Sequence, residues 1–324
     1  PALPGSGPPR RRLRRFPLGN CAPISSTSIV SMSIPLQARS GAWQPALELL
    51  EPISLVRCCT SPLGRNLCMI VTETAVHVYA TSDESPNLSF EPVTSFFLGC
   101  RATGASWSPS TPPASTGWRI EILVATETNE LRLLESLRQG SEASTSHKKL
   151  ADTYARVTDL AWGASPGYEA YAAAACSDGT VRLSDLEGCC RTHYLNSAEL
   201  SVAFHPKVPK LLLAMESSGV GYLLDWLASD GEVRTAASFH EPITLGAHAT
   251  QHYEAQGAAA WQAQDADMVG ALLGTRWCVW NVHEASVPVA SGQLHQPSVH
   301  GGLRFCRTHS RLFAGFAHGS MTPA

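Results

Sequence analysis

The sequence predicts an all-β protein built from short, repeated antiparallel strands. Its most regular stretch runs from Ala170 to Glu187. There a small apolar run stops at the tight-turn residues Ser177-Asp178-Gly179, and the residues that follow alternate between polar and apolar. The stretch closes on Ser184-Asp185, where a WD repeat carries Trp-Asp, and a further strand ending at Trp162 precedes it. Three such strands in about 30 residues are typical of one blade of a WD40-type β-propeller.

The same pattern recurs along the chain when it is aligned on a strand that ends in an aromatic residue. Successive aromatic anchors are 55, 42, 57 and 44 residues apart, irregular but close to the period of about 40–45 residues in WD repeats. A weaker first copy lies at residues 53–58. The anchors are Trp107, Trp162, Phe204, Trp261 and Phe305.

Each anchor strand is followed by a second, apolar run and a third, alternating run, with hairpin-type turn residues between them. These paired runs lie at 67–71 and 75–79, 120–125 and 131–134, 170–176 and 180–185, 211–215 and 221–225, and 268–273 and 277–282. One more run, at 312–317, follows the last anchor. The sequence therefore predicts five blades and the first half of a sixth. A Pro/Ser-rich excursion is expected at 108–117, between the first two strands of the second blade, and polar connections around an outer strand or between blades are expected at 139–147 and 244–257.

The sequence stops a few residues after the last run, half-way through the sixth predicted blade. A propeller normally closes into a ring that leaves no sheet edge open. Either residues 24–50 supply the missing strands, or the natural protein continues with a further blade or more. We favour the second interpretation, in which residues 51–324 are a C-terminally incomplete propeller.

The first 50 residues differ in composition from the rest of the chain. Residues 1–47 contain six arginines, no Asp, Glu or Lys, and many Pro, Ser and Gly. This composition is typical of a disordered basic tail, a nuclear-import patch or an organelle presequence, and the absence of an initiating Met adds a gene-model artefact to the alternatives. We interpret residues 1–50 as a disordered N-terminal segment.

Composition argues against several classes of function. The net charge of −3 gives no reason to expect nucleic acid or an anionic membrane as a direct partner. No run approaches the ~18 apolar residues that a membrane span requires. Several of the ten cysteines lie inside apolar strand-like runs, which favours buried thiols in a reducing compartment over disulfides.

No catalytic constellation stands out. Gly219-Val220-Gly221 lacks the third glycine and the following helix of a dinucleotide fingerprint, and a hairpin turn explains it. His248 and His252, with Glu254, have a spacing that could hold zinc on a helix, but their segment has no helical apolar period, so we interpret them as loop histidines. The sequence predicts a non-enzymatic protein without a cofactor, a metal or a small-molecule substrate.

The residues that we single out have predicted structural roles. Asp178 and Gly179 suit a tight turn, and Asp185 and Asp225 occupy the WD-type Asp position, where a carboxylate can satisfy backbone N–H groups. Trp280-Asn281 is the same dipeptide with an amide in place of the acid. The predicted structural repeat positions are Trp107, Trp162, Asp178, Gly179, Asp185, Phe204, Asp225, Trp261 and Trp280.

Two further predictions concern turns and surfaces. His205-Pro206 is expected to form a strand-ending turn with a structural role. Exposed aromatic residues would indicate a surface for a protein partner, and the candidates are Trp118, Trp226 and Trp277, although each also suits packing inside or between blades.

The order of these motifs resembles the nucleoporin-thirty-seven family, small WD-repeat nucleoporins of the Y-shaped outer-ring complex of the nuclear pore. The similarity runs from about residue 53 to 316. Single motifs are generic to WD proteins, and the ordered set makes the match specific. The segments that carry it are 104–109, 157–162, 176–183, 200–206, 211–216, 218–219, 224–225, 260–261, 269–271 and 277–282.

The resemblance implies a seven-bladed propeller, so this sequence departs from the family by lacking the end of the sixth blade and the whole seventh. The basic N-terminal segment is also outside the family pattern. The family's function is that of a non-enzymatic scaffold subunit at the nuclear pore of the nuclear envelope. It docks on a large propeller–solenoid nucleoporin among the other Y-complex subunits, and it supports protein and mRNA transport.

The resemblance supplies no partner-binding residue. The alternatives are a WD adaptor of another complex, such as a ubiquitin-ligase substrate receptor or a chromatin-associated module, and a metal-dependent propeller enzyme.

Overall fold

The structure is a computed structural model of the chain. It describes residues 49, 51–59, 64, 66–82, 89–109, 117–139, 142–163, 167–186, 190–195, 200–228, 231–244, 258–262, 265–273, 276–284, 286–293, 300–305 and 313–318. Apart from Leu49, the predicted N-terminal segment 1–50 lies outside these residues. So do 110–116 and 245–257 of the predicted connections.

The described residues form antiparallel sheets whose strands follow one another in chain order. The first sheet contains β1 (Leu55–Cys58), β2 (Leu67–Val71), β3 (Ala75–Ser82) and β4 (Ser89–Phe97). The second contains β5 (Ala102–Trp107), β6 (Gly117–Thr126), β7 (Glu130–Gln139) and β8 (Glu142–Asp152). The third contains β9 (Val157–Trp162), β10 (Tyr171–Cys176), β11 (Thr180–Asp185) and β12 (Cys190–Tyr194).

The remaining sheets repeat the arrangement. The fourth contains β13 (Leu200–Phe204), β14 (Leu211–Glu216), β15 (Val220–Asp225) and β16 (Arg234–His240). The fifth contains β17 (Ala258–Trp261), β18 (Met268–Leu273), β19 (Arg276–Asn281) and β20 (Ala290–Gln293). The sixth is a pair, β21 (His300–Phe305) and β22 (Phe313–His318).

The first strands of successive sheets lie side by side, β5 next to β9, β9 next to β13, β13 next to β17 and β17 next to β21. Second strands are buried along their whole length in β2 and β14, because they have a strand on either side and a packed sheet against a face. Radially repeated four-stranded sheets define a propeller. The prediction of an all-β, WD40-type fold is confirmed.

The apolar cores lie between neighbouring sheets. Neighbouring residues of one strand point to opposite faces of the sheet, so the fourth sheet contributes to two cores at once. Leu212 packs with the third sheet, whereas Leu213 packs with Trp280 of the fifth. The first two sheets share a further core around Met69 and Trp107.

One predicted connection is mostly an outer strand. The sequence predicts a polar connection around an outer strand or between blades at 139–147, but β7 continues to Gln139 and the outer strand β8 begins at Glu142, so most of this segment belongs to a long hairpin. Its outer strand is exposed along most of its length and therefore needs no apolar alternation. A polar edge strand of this kind resembles a loop when only its sequence is considered.

Candidate interaction surface

Two of the predicted anchors join neighbouring sheets. The indole Nε1 of Trp107 donates to the carbonyl of Arg57 in the first sheet at 3.0 Å. Trp261 does the same toward the carbonyl of Ala203 in the fourth sheet at 3.1 Å. Trp162, in contrast, donates to the carbonyl of Glu169 within its own sheet. The anchor positions therefore lie where sheets meet, but their hydrogen-bond partners differ.

The turn at Asp178 and Gly179 is locked by side-chain hydrogen bonds. Gly179 has a φ of +79° and donates its N–H to the carbonyl of Cys176 at 3.0 Å. The Asp178 carboxylate accepts from the backbone N–H of Thr180 at 3.1 Å and lies 3.4 Å from Arg182. Partial burial raises the pKa of Asp178, but hydrogen bonds from Thr180 and the charge of Arg182 outweigh it, so the pKa is lowered overall.

The predicted WD-type positions end the third strands. Asp225 lies 3.0 Å from the Nζ atom of Lys210 and accepts from the backbone N–H of Leu227 at 3.2 Å. Asp185 ends β11 opposite Tyr171. Trp280 is fully buried, and its ring lies 5.2 Å from that of Phe239. The structural roles assigned to these positions stay predictions.

His205 forms a turn at the end of β13, as its sequence context suggested. Its Nδ1 atom accepts from the backbone N–H groups of Lys207 at 3.0 Å and Val208 at 2.8 Å. Its ring lies 4.5 Å from that of Trp261, and burial lowers the pKa of His205. These contacts hold the turn between β13 and β14 against Trp261 of the fifth sheet.

The three tryptophans proposed as exposed partner contacts are not exposed. Trp226 is buried among the rings of Tyr168, Tyr171 and Phe204. Trp118 and Trp277 are half-buried. The guanidinium of Arg138 covers the Trp118 ring at 4.8 Å. Each tryptophan therefore has a packing role that the apolar pattern of its strand could not distinguish from exposure.

Four of the exposed large apolar residues instead lie at one repeated place in the fold. In each of the first four sheets, the residue that follows the fourth strand donates its N–H to a carbonyl of the hairpin turn between the second and third strands. The fourth strand therefore ends beside this hairpin turn, at one end of the strands of the sheet. We call this end the fourth-strand edge. The donor–acceptor pairs are Leu98–Thr74 at 2.8 Å, Thr153–Asn129 at 2.8 Å, Leu195–Gly179 at 2.7 Å and Glu241–Gly219 at 2.9 Å.

Within three residues of each fourth-strand end, one large apolar side chain is exposed. The exposed fractions are 73% for Phe97, 82% for Tyr154, 76% for Tyr194 and 60% for Ile243. Successive propeller blades are related by rotation about a common axis, so these four residues lie near the same side of the propeller. Exposed aromatic residues are enriched in the energetic centres of protein interfaces.

Tyr154 is the most constrained of the four. It has a φ of +60°, a left-handed conformation that is uncommon for a residue other than glycine. The guanidinium of Arg182 lies 5.3 Å from its ring, a distance at which a cation is attracted to an aromatic face. The phenol is therefore held outward by its backbone and by a cation from the next sheet.

Charges of both signs surround these residues. Arg101 and Glu127 are exposed at the same edge, where the Glu127 carboxylate accepts from the Arg101 backbone N–H at 3.1 Å. Glu51 accepts from the backbone N–H of Thr74 at 3.0 Å, and hydrogen bonds from Thr72 and Thr74 lower its pKa to about 2. Aromatic residues within a mixed polar rim are typical of protein–protein interfaces.

The described residues contain no group of three or more His, Cys, Asp or Glu side chains placed to hold a metal ion. His248, His252 and Glu254 lie outside them, so their assignment as loop residues stays a prediction. Within the same ranges, no helix is both long and apolar enough to cross a bilayer.

The exposed edge residues were missed by the sequence analysis because they lie at the ends of polar fourth strands, which carry no apolar period. One signal was available. Phe97 and Tyr194 are each the last residue of a fourth strand, and each stands opposite the first residue of the third strand, Ala75 and Thr180 respectively. An aromatic residue at that offset in two repeats is visible once the repeats are aligned.

The chain is similar to two curated nucleoporins. Nucleoporin Nup37 of Mus musculus is 25% identical over 228 residues, which cover 70% of this chain and 64% of the relative. Nucleoporin Nup37 of Homo sapiens is 25% identical over 209 residues, which cover 64% of this chain and 58% of the relative. The chain thus spans about three fifths of the length of these relatives. No protein-family profile matches it.

Proposed function

We propose that this chain is a WD-repeat propeller subunit of the nuclear pore scaffold, related to the nucleoporin-thirty-seven family. The observation that carries the proposal is the 25% identity to Nup37 over 70% of the chain, in a chain whose fold is of the propeller class. A propeller without a catalytic constellation acts by presenting a rigid surface to other proteins. The proposed function is therefore structural and non-enzymatic.

The proposed partner is the large propeller–solenoid nucleoporin of the Y complex, at the nuclear pore of the nuclear envelope, together with the other Y-complex subunits. An interface of standard size buries about 800 Å² on each partner. The fourth-strand edge is the proposed contact surface, since Phe97, Tyr154, Tyr194 and Ile243 offer the exposed apolar anchors that such an interface needs. Protein and mRNA transport then depend on the chain through scaffold assembly.

The proposal is tested by purifying the tagged chain from cells and identifying the proteins bound to it by mass spectrometry. Pore-scaffold subunits should be recovered, and a fluorescent fusion should mark the nuclear rim in points. Recovery of ubiquitin-ligase or chromatin subunits without any pore-scaffold protein would overturn the proposal in favour of another kind of adaptor.

The contact surface is tested separately with the recovered partner. Tyr154→Ala combined with Tyr194→Ala should weaken binding by about tenfold or more, because truncating an interfacial anchor costs at least ~1–2 kcal/mol. The matched control is Leu137→Ala, since Leu137 is also exposed but lies near the opposite end of the second sheet. Equal binding by all three proteins would place the interface elsewhere on the propeller.

A further inference from the structure

The first sheet brings two cysteines directly opposite each other. Cys58 in β1 is the register partner of Cys68 in β2. The next residue, Cys59, donates its N–H to the carbonyl of Leu67 at 2.8 Å. Hydrogen-bonded and non-hydrogen-bonded pairs alternate along an antiparallel ladder, so Cys58 and Cys68 form a non-hydrogen-bonded pair. At such a pair the Cα atoms are about 4.5 Å apart and the side chains share one face of the sheet.

The two thiols differ in exposure. Cys58 is exposed, whereas Cys68 is buried beside Ile70 and Tyr79. Burial raises the pKa of the Cys68 thiol to about 11, and the neighbouring Cys58 acts in the same direction through charge and a hydrogen bond.

We propose that Cys58 and Cys68 form a reversible thiol–disulfide modification site with glutathione disulfide as the oxidant. A Cα separation of about 4.5 Å lies inside the range of 4.4–6.8 Å that a disulfide can bridge. The pair therefore needs no movement of the backbone to be joined. This proposal does not depend on the nuclear pore assignment.

Two exchange steps complete the reaction. The exposed Cys58 thiol loses its proton, and the thiolate attacks one sulfur of glutathione disulfide, forming a mixed disulfide and releasing one glutathione thiolate. Cys68 then loses its proton and attacks the Cys58 sulfur, forming the Cys58–Cys68 bond and releasing the second glutathione. The two cysteines lose two electrons and two protons, and glutathione disulfide is reduced to two glutathione thiols.

Burial makes Cys68 the slow partner. Its raised pKa leaves little thiolate at neutral pH, and only the thiolate attacks a disulfide. Closure of the mixed disulfide should therefore become faster as pH rises from 7 to 9. The resulting bond is expected to be easily reduced, because its Cα separation is at the short end of the disulfide range and one sulfur is exposed.

The site lies next to a residue that joins several sheets. Arg57 accepts the indole hydrogen bond of Trp107 through its carbonyl, and its guanidinium lies 2.9 Å from Asp159 in the third sheet. Asp159 also accepts from the backbone N–H of Val202 in the fourth sheet at 3.0 Å. Oxidation therefore modifies a strand that contacts the second and third sheets directly and the fourth only through Asp159.

The test incubates the full chain in buffers from reduced glutathione to glutathione disulfide, blocks the remaining thiols by alkylation and analyses the peptides by mass spectrometry. The Cys58–Cys68 linked peptide should rise from less than about one tenth of the protein to more than about half, and dithiothreitol should reverse it. Cys68→Ser should accumulate the glutathione adduct on Cys58, whereas Cys58→Ser should leave Cys68 unmodified in the folded chain.

Cys59→Ala is the matched control, because Cys59 adjoins Cys58 but packs in the core of the first two sheets. It should retain the linked peptide at the wild-type level. A Cys58–Cys59 link, a glutathione adduct on Cys58 that persists in the wild type at pH 9, or unmodified Cys58 throughout would each overturn the proposal.

Discussion

The third and fourth sheets have the same strand order and connectivity but place different side chains at equivalent positions. In both, the residue after the third strand donates its N–H to a carbonyl just before the second strand: Leu186 to Ala170 at 2.9 Å, and Trp226 to Lys210 at 3.1 Å. One residue is leucine and the other tryptophan. The two sheets thus share this backbone hydrogen bond. The side chain at the position differs between them, as do the residues that pack around it.

The largest difference between the two sheets is at this position. Trp226 is 1% exposed and donates its indole N–H to the carbonyl of Pro209 at 2.9 Å. Trp226→Ala should lower the free energy of unfolding by about 3–5 kcal/mol, because it leaves a cavity among three aromatic rings. Urea unfolding measures the loss.

The equivalent substitution in the third sheet is the control. Leu186 is only partly buried, so Leu186→Ala should cost less than half as much as Trp226→Ala. Equal losses would mean that the aromatic cluster contributes nothing beyond what a partly buried leucine contributes.

A second difference concerns cross-strand volume. The third sheet pairs Val181 with His193, and the fourth pairs Gly221 with Phe239. A Cβ atom on Gly221 would lie 2.3 Å from the Phe239 ring, so the ring occupies the space that a side chain would fill. Gly221→Ala should therefore destabilise the protein by about 1–3 kcal/mol in urea unfolding.

A double-mutant cycle measures the energetic coupling between residue 221 and the Phe239 ring. Phe239→Leu makes room beside residue 221, so adding Gly221→Ala to it should cost less than it does in the wild type, with a coupling of about 0.5–3 kcal/mol. Strict additivity would show that the loss does not arise from contact with Phe239, which would leave the Met215 side chain, 3.0 Å from the added Cβ, as the neighbour responsible.

These sheets also show what the sequence could predict. The first three strands of each were predicted within a few residues, because buried strands carry apolar runs and the turns at Asp178-Gly179 and Ser218-Gly219 carry turn residues. The fourth strands, such as Arg234–His240, are largely exposed. They need no apolar alternation, and no signal marked them.

Contacts between sheets were harder still to predict. Trp226 was a candidate for exposure because its position after a strand suits either a surface or a core, and only the neighbouring rings decide between them. The pairing of Cys58 with Cys68 depends on strand register, which a shift of one residue would abolish. The exposure of Tyr154 depends on a left-handed backbone conformation that its local sequence does not predict.

The end of the first strand gives a third prediction. Trp162 donates to the carbonyl of Glu169, whereas Phe204 in the fourth sheet has no side-chain donor and packs against Trp226 at 5.9 Å. Trp162→Phe makes the third sheet resemble the fourth and should cost about 1–2 kcal/mol, because the Glu169 carbonyl loses its donor. Trp261→Phe, which removes an indole hydrogen bond to the carbonyl of Ala203 between the fourth and fifth sheets, is the control: it should leave hydrogen exchange at 167–171 unchanged, whereas Trp162→Phe should accelerate it.

The smallest expected effect depends on pH and concerns the two hairpin turns. Asp178 in the third sheet accepts hydrogen bonds from Thr180, and its pKa is lowered overall in spite of partial burial. At the equivalent place in the fourth sheet, Ser218 donates its hydroxyl to Glu216 at 2.7 Å. Because the folded-state pKa of Asp178 is below its unfolded value of about 3.9, its stabilisation is fully present above that value. It is lost as pH falls through the folded-state pKa.

Asp178→Asn should therefore lower stability at pH 7 by no more than about 1 kcal/mol, since the carboxylate is more than one third exposed and solvent screens its charge. The difference from the wild type should shrink as pH falls below about 4. Urea unfolding at a series of pH values measures this convergence. The control is Ser218→Asn, which introduces the same amide at the turn of the fourth sheet but removes no carboxylate. It should not show the convergence. If the free energy of unfolding of Asp178→Asn instead differed from that of the wild type by the same amount at every pH, the charge of Asp178 would contribute nothing. The turn would then be held by its backbone geometry and Gly179 alone.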